Sequence, residues 1–436
     1  MAGSPLDREI VRLAVPAFAT LLAEPLYILA DTAVVGHLGT PQLGGLAVAA
    51  SILLTAFGLC VFLAYGTTAA VARLLGAGDD QEAAHQGVQG LWLGGLIGVV
   101  LGIVAGVFAG PLVGLFGAEG DVAENARIYL QISAAGLPFL LLTMAGTGYL
   151  RGLQDTVTPL VVAVGAAIAN LVLELVLIYG FDRGIGASAL ATVVVQAVAG
   201  VVFVVRVVGP ARHYGADLAP DWRRIRALAR VGADLFVRTA ALRVALLAMT
   251  MIAARLGTTD LGASEIALVI WSFLAMAHDS LAIAAQAMVG RQLGAGLADD
   301  ARDVSRRLVQ IGLVVGGGLL VLVGLLHDVL PHLFSDDPAV TDLAAFLLLW
   351  VAALQPVAGW VFVLDGVLIG AGDQHFLAIA KVLSTAAFAL AVAPVLPLDL
   401  GIGWLWAAFA VLMVARGLTL GWRYIGPRWL VVGAVR

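Results

Sequence analysis

VARLLGAG at 71–78 returns as VGRQLGAG at 289–296, 218 residues later, and that interval organises the rest of the chain. At the same offset VVGHLGT (34–40) pairs with IAARLGT (252–258), LFGAEGDV (115–122) with LFSDDPAV (333–340), and GYLRGLQD (148–155) with GVLIGAGD (366–373). Pro138 falls on Pro356 in the same register. Five matches without a gap mark a tandem duplication.

Between these motifs the chain is apolar. Of 436 residues, 61% are hydrophobic and 12% charged, where soluble domains carry about 25% charged residues. A soluble protein of this composition could not cover its surface. A helix needs about 20 apolar residues to cross the hydrocarbon core. Spans are predicted near 8–35, 43–72, 87–110, 126–150, 158–180, 187–206, 228–255, 261–290, 308–326, 341–369, 376–396 and 402–422. The polar stretch VGPARHYGADLAPDWRRI (208–225) reads as a cytoplasmic linker between an N-lobe at 1–207 and a C-lobe at 226–436. The expected fold is therefore an all-α integral membrane protein of twelve transmembrane helices in two pseudo-symmetric six-helix lobes. Six spans per copy is an even number, so the repeat is parallel and its axis runs along the membrane normal.

Arginines fix the orientation. With the N-terminus inside, seventeen fall in inner segments and three (Arg127, Arg183, Arg255) in outer loops, the positive-inside pattern of a multi-pass protein with both termini cytoplasmic. Acids among the first arginines, and a long apolar stretch after them, argue against a cleavable signal. The expected setting is the bacterial inner membrane. Gly94, Gly98, Gly102, Gly106 and Gly110 recur every fourth residue, echoed by Gly312, Gly316 and Gly324, giving smooth faces for helix contact.

Several function classes fall away. The chain contains no Walker, HExxH or CxxC motif and no basic nucleic-acid-reading stretch. The seven histidines lack ligand spacing, and Cys60 lies in an apolar run. No enzyme, cofactor, metal or nucleic-acid partner is expected. The loop RLLGAGDDQEAA lacks the basic signature of major-facilitator transporters.

The chemical signal is the set of ionisable groups inside spans, each costing roughly 2.5–3.5 kcal/mol on insertion scales. Across the repeat Asp31 maps onto Met249, Glu24 onto Leu242, Glu174 onto Val392, Asp279 onto Val61 and Asp365 onto Thr147. Groups needed only to build the scaffold would occur in both copies; these occur in one. Asp31 and Glu174 lie about five and six residues below the outer ends of the first and fifth spans, both on the order of 8 Å deep. Asn170 shares the Glu174 face four residues earlier. Such a group can bind a proton or a cation; the plainer alternative is a local hydrogen bond for Asp31. Glu24 lies two turns deeper, beside Pro25, and Pro16 with Pro25 makes the first span the one expected to bend. Arg243 is the repeat image of Pro25, so it either faces Glu24 or pairs within its own lobe. Asp234 and Arg238 stand in the acid-first order that favours pairing. Asp279 and Asp365 either lock an inner gate or are solvated interfacial charges. Glu265 is expected to line a cavity. Lys381, the only lysine, is expected to snorkel to the inner interface.

Seven stretches carry a resemblance: DTAVVGHLGT (31–40), ARLLGAGD (72–79), LRGLQDTVTP (150–159), NLVLE (170–174), DLFVRT (234–239), AHDSLAIAAQAMVGRQLGAG (277–296) and LDGVLIGAGD (364–373). Spread over the whole length, they resemble the multidrug and toxic compound extrusion (MATE) transporters, in the DNA-damage-inducible F-like (DinF) bacterial branch. The resemblance implies proton-coupled antiport of organic, cationic or amphipathic compounds by alternating access; the alternatives are sodium coupling in the same family and a lipid-intermediate flippase of the same superfamily. It implies a monomer whose partners are a small-molecule substrate, protons or sodium, and membrane lipid. The family's N-lobe cation site falls on Asp31, Asn170 and Glu174, with Glu in place of the more usual Asp. Its C-lobe acids correspond loosely to Glu265 and Asp365.

Overall fold

The structure, a computed structural model, describes residues 4–180 and 184–434. Arg183 and Arg436, counted in the arginine distribution above, lie outside the described residues. The described chain is helical throughout, with no strand among the described residues. The helices are α1 (Pro5–Gly36), α2 (Thr40–Cys60), α3 (Phe62–Gly76), α4 (Asp80–Val107), α5 (Ala109–Gly114), α6 (Gly120–Ala134), α7 (Leu137–Gly152), α8 (Val157–Leu175), α9 (Ile185–His213), α10 (Trp222–Leu256), α11 (Thr258–Gly294), α12 (Ala298–Leu326), α13 (Pro338–Gly370), α14 (Gln374–Val392) and α15 (Gly401–Ile425). Eleven stretches, one of them α2–α3 together, are long and apolar enough to cross a membrane; the bent pair α6–α7 supplies the twelfth.

The duplication is visible in the backbone. Gly78 and Gly296, which are 218 apart, both take left-handed φ, +78° and +80°, where the chain leaves α3 and α11. A Cβ is disfavoured in that region, which explains a glycine in both copies. Two predicted spans are less regular than expected. The span 126–150 divides into α6 and α7, bent by 53°, whereas its counterpart α13 runs unbroken through Pro356. Gly136 together with Pro138 loosens the first copy; the position matching Gly136 holds Leu354 in the second. The span 43–72 divides at Val61 into α2 and α3, while its image α11 is continuous.

The chain clusters into two compact units, one of residues 15–232 and one of residues 1–14 with 233–436. Their boundaries, 15 and 233, are separated by the repeat interval. Each unit therefore includes the opening turns of a helix whose remainder belongs to the other. In the first unit, Ile225 and Leu228 of α10 pack with Cys60, Leu63, Leu93, Leu141 and Met144. The connection before α10 is stitched to α4 by a polar stripe: Gln81 donates to Gly215 O, Gln89 to Ala219 O and Trp92 to Leu218 O, at 3.0 Å each. Arg224 pairs with Glu82. In the second unit, Arg307 of α12 holds Asp7 of α1 through two bonds of 2.6 and 2.9 Å, and Ile10 and Leu13 are buried.

The glycine stripes pack as helix contacts in part. A Cβ at Gly94, Gly98 or Gly102 would stand 2.5–2.8 Å from the backbone of α6 and α7, and one at Gly312 or Gly316 as near that of α13. A Cβ at Gly110 or Gly324 would meet nothing within 4 Å beyond its own stretch of helix.

Candidate functional site: a carboxyl pair in the first unit

Within residues 15–232, helices α1, α2, α6, α7, α8 and α9 line an open cavity of ≈ 340 Å³. Its walls are mostly apolar, with Glu24, Tyr27 and Asp31 contributed by α1 and Asn170 by α8. Helix geometry explains this grouping. Residues 24, 27 and 31 recur at three- and four-residue spacing and so share one face of α1; 170 and 174 do the same on α8. On α9, Ser188, Thr192 and Gln196 form a third such stripe.

The structure brings Asp31, Asn170 and Glu174 together. All three are buried, and Glu174 is 0% exposed. The Asp31 and Glu174 carboxyls are electrostatic neighbours in this cluster. A hydrogen bond between them requires one of them to carry a proton, since two carboxylates offer acceptors alone. Ser188 Oγ donates to Asp31 Oδ1 at 2.9 Å, and the Tyr27 and Thr192 hydroxyls meet at 2.9 Å beside it. Both Glu174 oxygens and Asn170 Oδ1 are buried without a hydrogen-bond partner among the described residues. Immediately beyond Glu174 the helix widens into a π turn over Val176–Gly180. Such turns are frequent at functional positions.

Glu24 stands on the cavity wall. Helix α1 runs unbroken through Pro16 and Pro25. Thr20 Oγ1 caps the Pro16 carbonyl at 2.8 Å, a hydroxyl bond of the kind that accompanies bends.

In the second unit several expected pairings change. The Asp234–Arg238 pair gives way to cross-helix partners: Asp234 meets His375 at 3.2 Å, and Arg238 reaches Asp365 at 2.9 Å. Asp365 is not a solvated interfacial charge but is 2% exposed, and its Oδ2 also accepts from Arg416 at 2.8 Å and Lys381 at 3.5 Å. Lys381 does not snorkel; it is 3% exposed, because Asp365 on α13 offers it a buried counter-charge. Asp279 is half-buried near Arg416. Glu265 accepts from Thr250 Oγ1 of α10 at 2.9 Å. Arg243 is exposed on α10.

Sequence reasoning passed over Ser188, Tyr27, Thr192 and Arg416. The first three were signalled by polar residues recurring every three or four positions in apolar spans. Arg416 was signalled by the same rule that selected the acids, an ionisable group inside a span.

A family model described as MatE matches this chain twice, over residues 16–176 and 235–395. The DNA damage-inducible protein F of Escherichia coli K12 is 30% identical over 96% of this chain and 92% of its own length. Protein DETOXIFICATION 44, chloroplastic, of Arabidopsis thaliana is 30% identical over 97% of this chain and 83% of its own length. Among solved structures, a MATE protein in a bent conformation superposes with a TM-score of 0.87 at 20% identity, covering 98% of this chain and 95% of the other. An outward-facing multidrug resistance MATE transporter gives 0.85 at 21% identity, over 96% and 95%. With both copies of the repeat matched by one family model, and a twelve-helix fold shared with these transporters, the chain belongs to the MatE family of multi-span membrane efflux transporters.

Proposed function

We propose that this protein is a proton-coupled antiporter that exports organic cationic or amphipathic compounds, and that Asp31 and Glu174 are its coupling site. The observation that carries the reading is the electrostatic pairing of two buried carboxyls of which one, Glu174, has no hydrogen-bond partner among the described residues. A proton shared between them removes their repulsion; its loss leaves negative charge at the edge of an apolar cavity, which attracts a cationic substrate. Proton and substrate thereby compete for the same charge, and the population of states follows which one is bound. Glu24 adds a second acidic point deeper along α1. Bending at Pro16 or Pro25 is the motion this exchange would drive.

The chain works as a monomer in the bacterial inner membrane with both termini cytoplasmic, a reading supported by the distribution of its arginines. One observation favours sodium as the coupling ion: Asn170 Oδ1, buried without a partner among the described residues, adds an oxygen of the type a hard cation takes. Proteoliposomes loaded with ethidium decide between the ions. Efflux driven by an imposed proton gradient and indifferent to a sodium gradient supports proton coupling; the reverse dependence establishes sodium.

A further inference from the structure

Arg243 stands near the middle of the span predicted at 228–255, on a helix, α10, that is continuous around it. Twelve residues, about 18 Å along the axis, separate it from Arg255, and fifteen, about 22 Å, from Leu228. That depth puts the guanidinium beyond what snorkelling to either interface can relieve. An arginine so placed faces a partner or water rather than hydrocarbon, because a lone charge in lipid is costly. Yet the side chain is exposed, and among the described residues no hydrogen bond or ion pair holds it. Acids of its own unit have other partners. Glu265 on α11 accepts from Thr250 Oγ1, two turns further along α10, at 2.9 Å. Asp234 meets His375, and Asp365 is held by Arg238 and Arg416.

The repeat separates this charge from the scaffold. Arg243 maps onto Pro25, so the cation occurs in one copy only. The face that carries it occurs in both: Val244 and Leu247 are exposed, and so are Leu26 and Leu29 at the matching positions of α1. Phe236 and Met251, also exposed, extend the stripe at helical spacing on either side of Arg243. One permanent cation therefore sits in an apolar face. Such a face suits an anion that is itself amphipathic. The planar guanidinium fork matches a carboxylate through two parallel hydrogen bonds, and the flanking side chains cover the ring or chain attached to it. Lipid phosphates keep to the headgroup region, outside the hydrocarbon core in which Arg243 stands.

We propose that Arg243 binds the carboxylate of a transported compound, so that the exporter takes carboxylate-bearing amphipathic and zwitterionic molecules. This names a substrate class and rests on the reading of the chain as an exporter of organic compounds. It does not depend on the coupling ion: binding at Arg243 is measured with no gradient present, so it can fail while proton coupling stands, and the reverse.

Rhodamine B and its methyl ester share a cationic ring system and differ by one carboxylate, which isolates the contribution of that group. Fluorescence anisotropy of each dye with the full chain in detergent gives its affinity. Wild type is expected to bind rhodamine B about tenfold more tightly than the ester, the gain of a hydrogen bond to a charged group. Arg243→Gln should abolish that preference and leave the affinity for the ester unchanged. Arg243→Lys, which keeps the charge and loses the fork, should retain part of the preference. If wild type holds the acid no more tightly than the ester, the proposal is overturned, and that comparison needs no variant to fold. Equal weakening of both dyes in Arg243→Gln would overturn it too, since an arginine that only shapes the protein cannot tell acid from ester.

Discussion

The two halves of the duplication solve the problem of a polar group inside a membrane in opposite ways. In the first unit Thr20, Thr147 and Ala163 line the cavity. At the matching positions of the second unit stand Arg238, Asp365 and Lys381, which with Arg416 make up the buried ionic cluster. One copy leaves space and sets hydroxyl groups, those of Ser188, Tyr27 and Thr192, around its acid Asp31. The other fills the equivalent positions with salt-bridged side chains. Helix packing survived the duplication, as the paired glycine contacts on α4 and α12 show, while the charges diverged. A carboxyl with no fixed counter-charge can change state during a cycle; a carboxyl gripped by two guanidiniums is committed to one.

That contrast can be broken in graded ways. The largest effect is expected from Asp31→Asn, which should lower proton-driven ethidium efflux from proteoliposomes at least about a hundredfold, a loss of the size that follows removal of an essential acid–base group. Its melting temperature should stay close to wild type, and near-normal efflux would remove Asp31 from the coupling site. Asp365→Asn should do the converse and act mainly on stability. Removing this carboxylate breaks its contacts with Arg238, Lys381 and Arg416 together, at about 3–5 kcal/mol for a broken buried pair, read as a fall in melting temperature in detergent. If the two variants lose stability equally, the two halves do not differ in the manner described. Gly98→Ala and Gly316→Ala sharpen the comparison from the conserved side. Each places a Cβ about 2.5 Å from facing backbone and should cost similar amounts, about 1–3 kcal/mol, by thermal unfolding. The smallest effect is expected from Ser188→Ala, which removes one hydroxyl bond to Asp31, about 1 kcal/mol. It should alter efflux only a few-fold, and an effect as large as that of Asp31→Asn would make Ser188 a proton carrier in its own right.

Much of this architecture was legible before any coordinates. Repeat register, span count and glycine stripes are one-dimensional signals, and each reports packing that helices must satisfy locally. Depth arithmetic on α1 and α8 placed Asp31 level with Glu174 because both helices are continuous there and each residue adds a fixed rise. Partner choice in the second unit was hidden for a related reason. Whether Lys381 reaches the interface or Asp365 depends on which face of α14 meets α13 and α15, and no spacing within α14 decides that. The expected Asp234–Arg238 pair lost to a stronger competitor. An exposed i,i+4 pair contributes about 0.3–0.5 kcal/mol, whereas charge-assisted bonds to a buried carboxylate are substantially stronger. The bend between α6 and α7 rests on Gly136 acting with Pro138, and Pro356 in the other copy shows that the proline alone does not break a helix here.

The exchange of helix beginnings bears on how the molecule is made. Asp7 leaves the ribosome 300 residues ahead of Arg307, which clasps it. At 5–20 residues per second that is a wait of about 15–60 s, through which Ile10 and Leu13 have nothing of their own unit to cover them. The unit of residues 15–232 waits for the opening turns of α10 and the other for the second half of the chain, so a nascent protein stalled in the connection before α10 would hold two unfinished lobes rather than one mature and one missing.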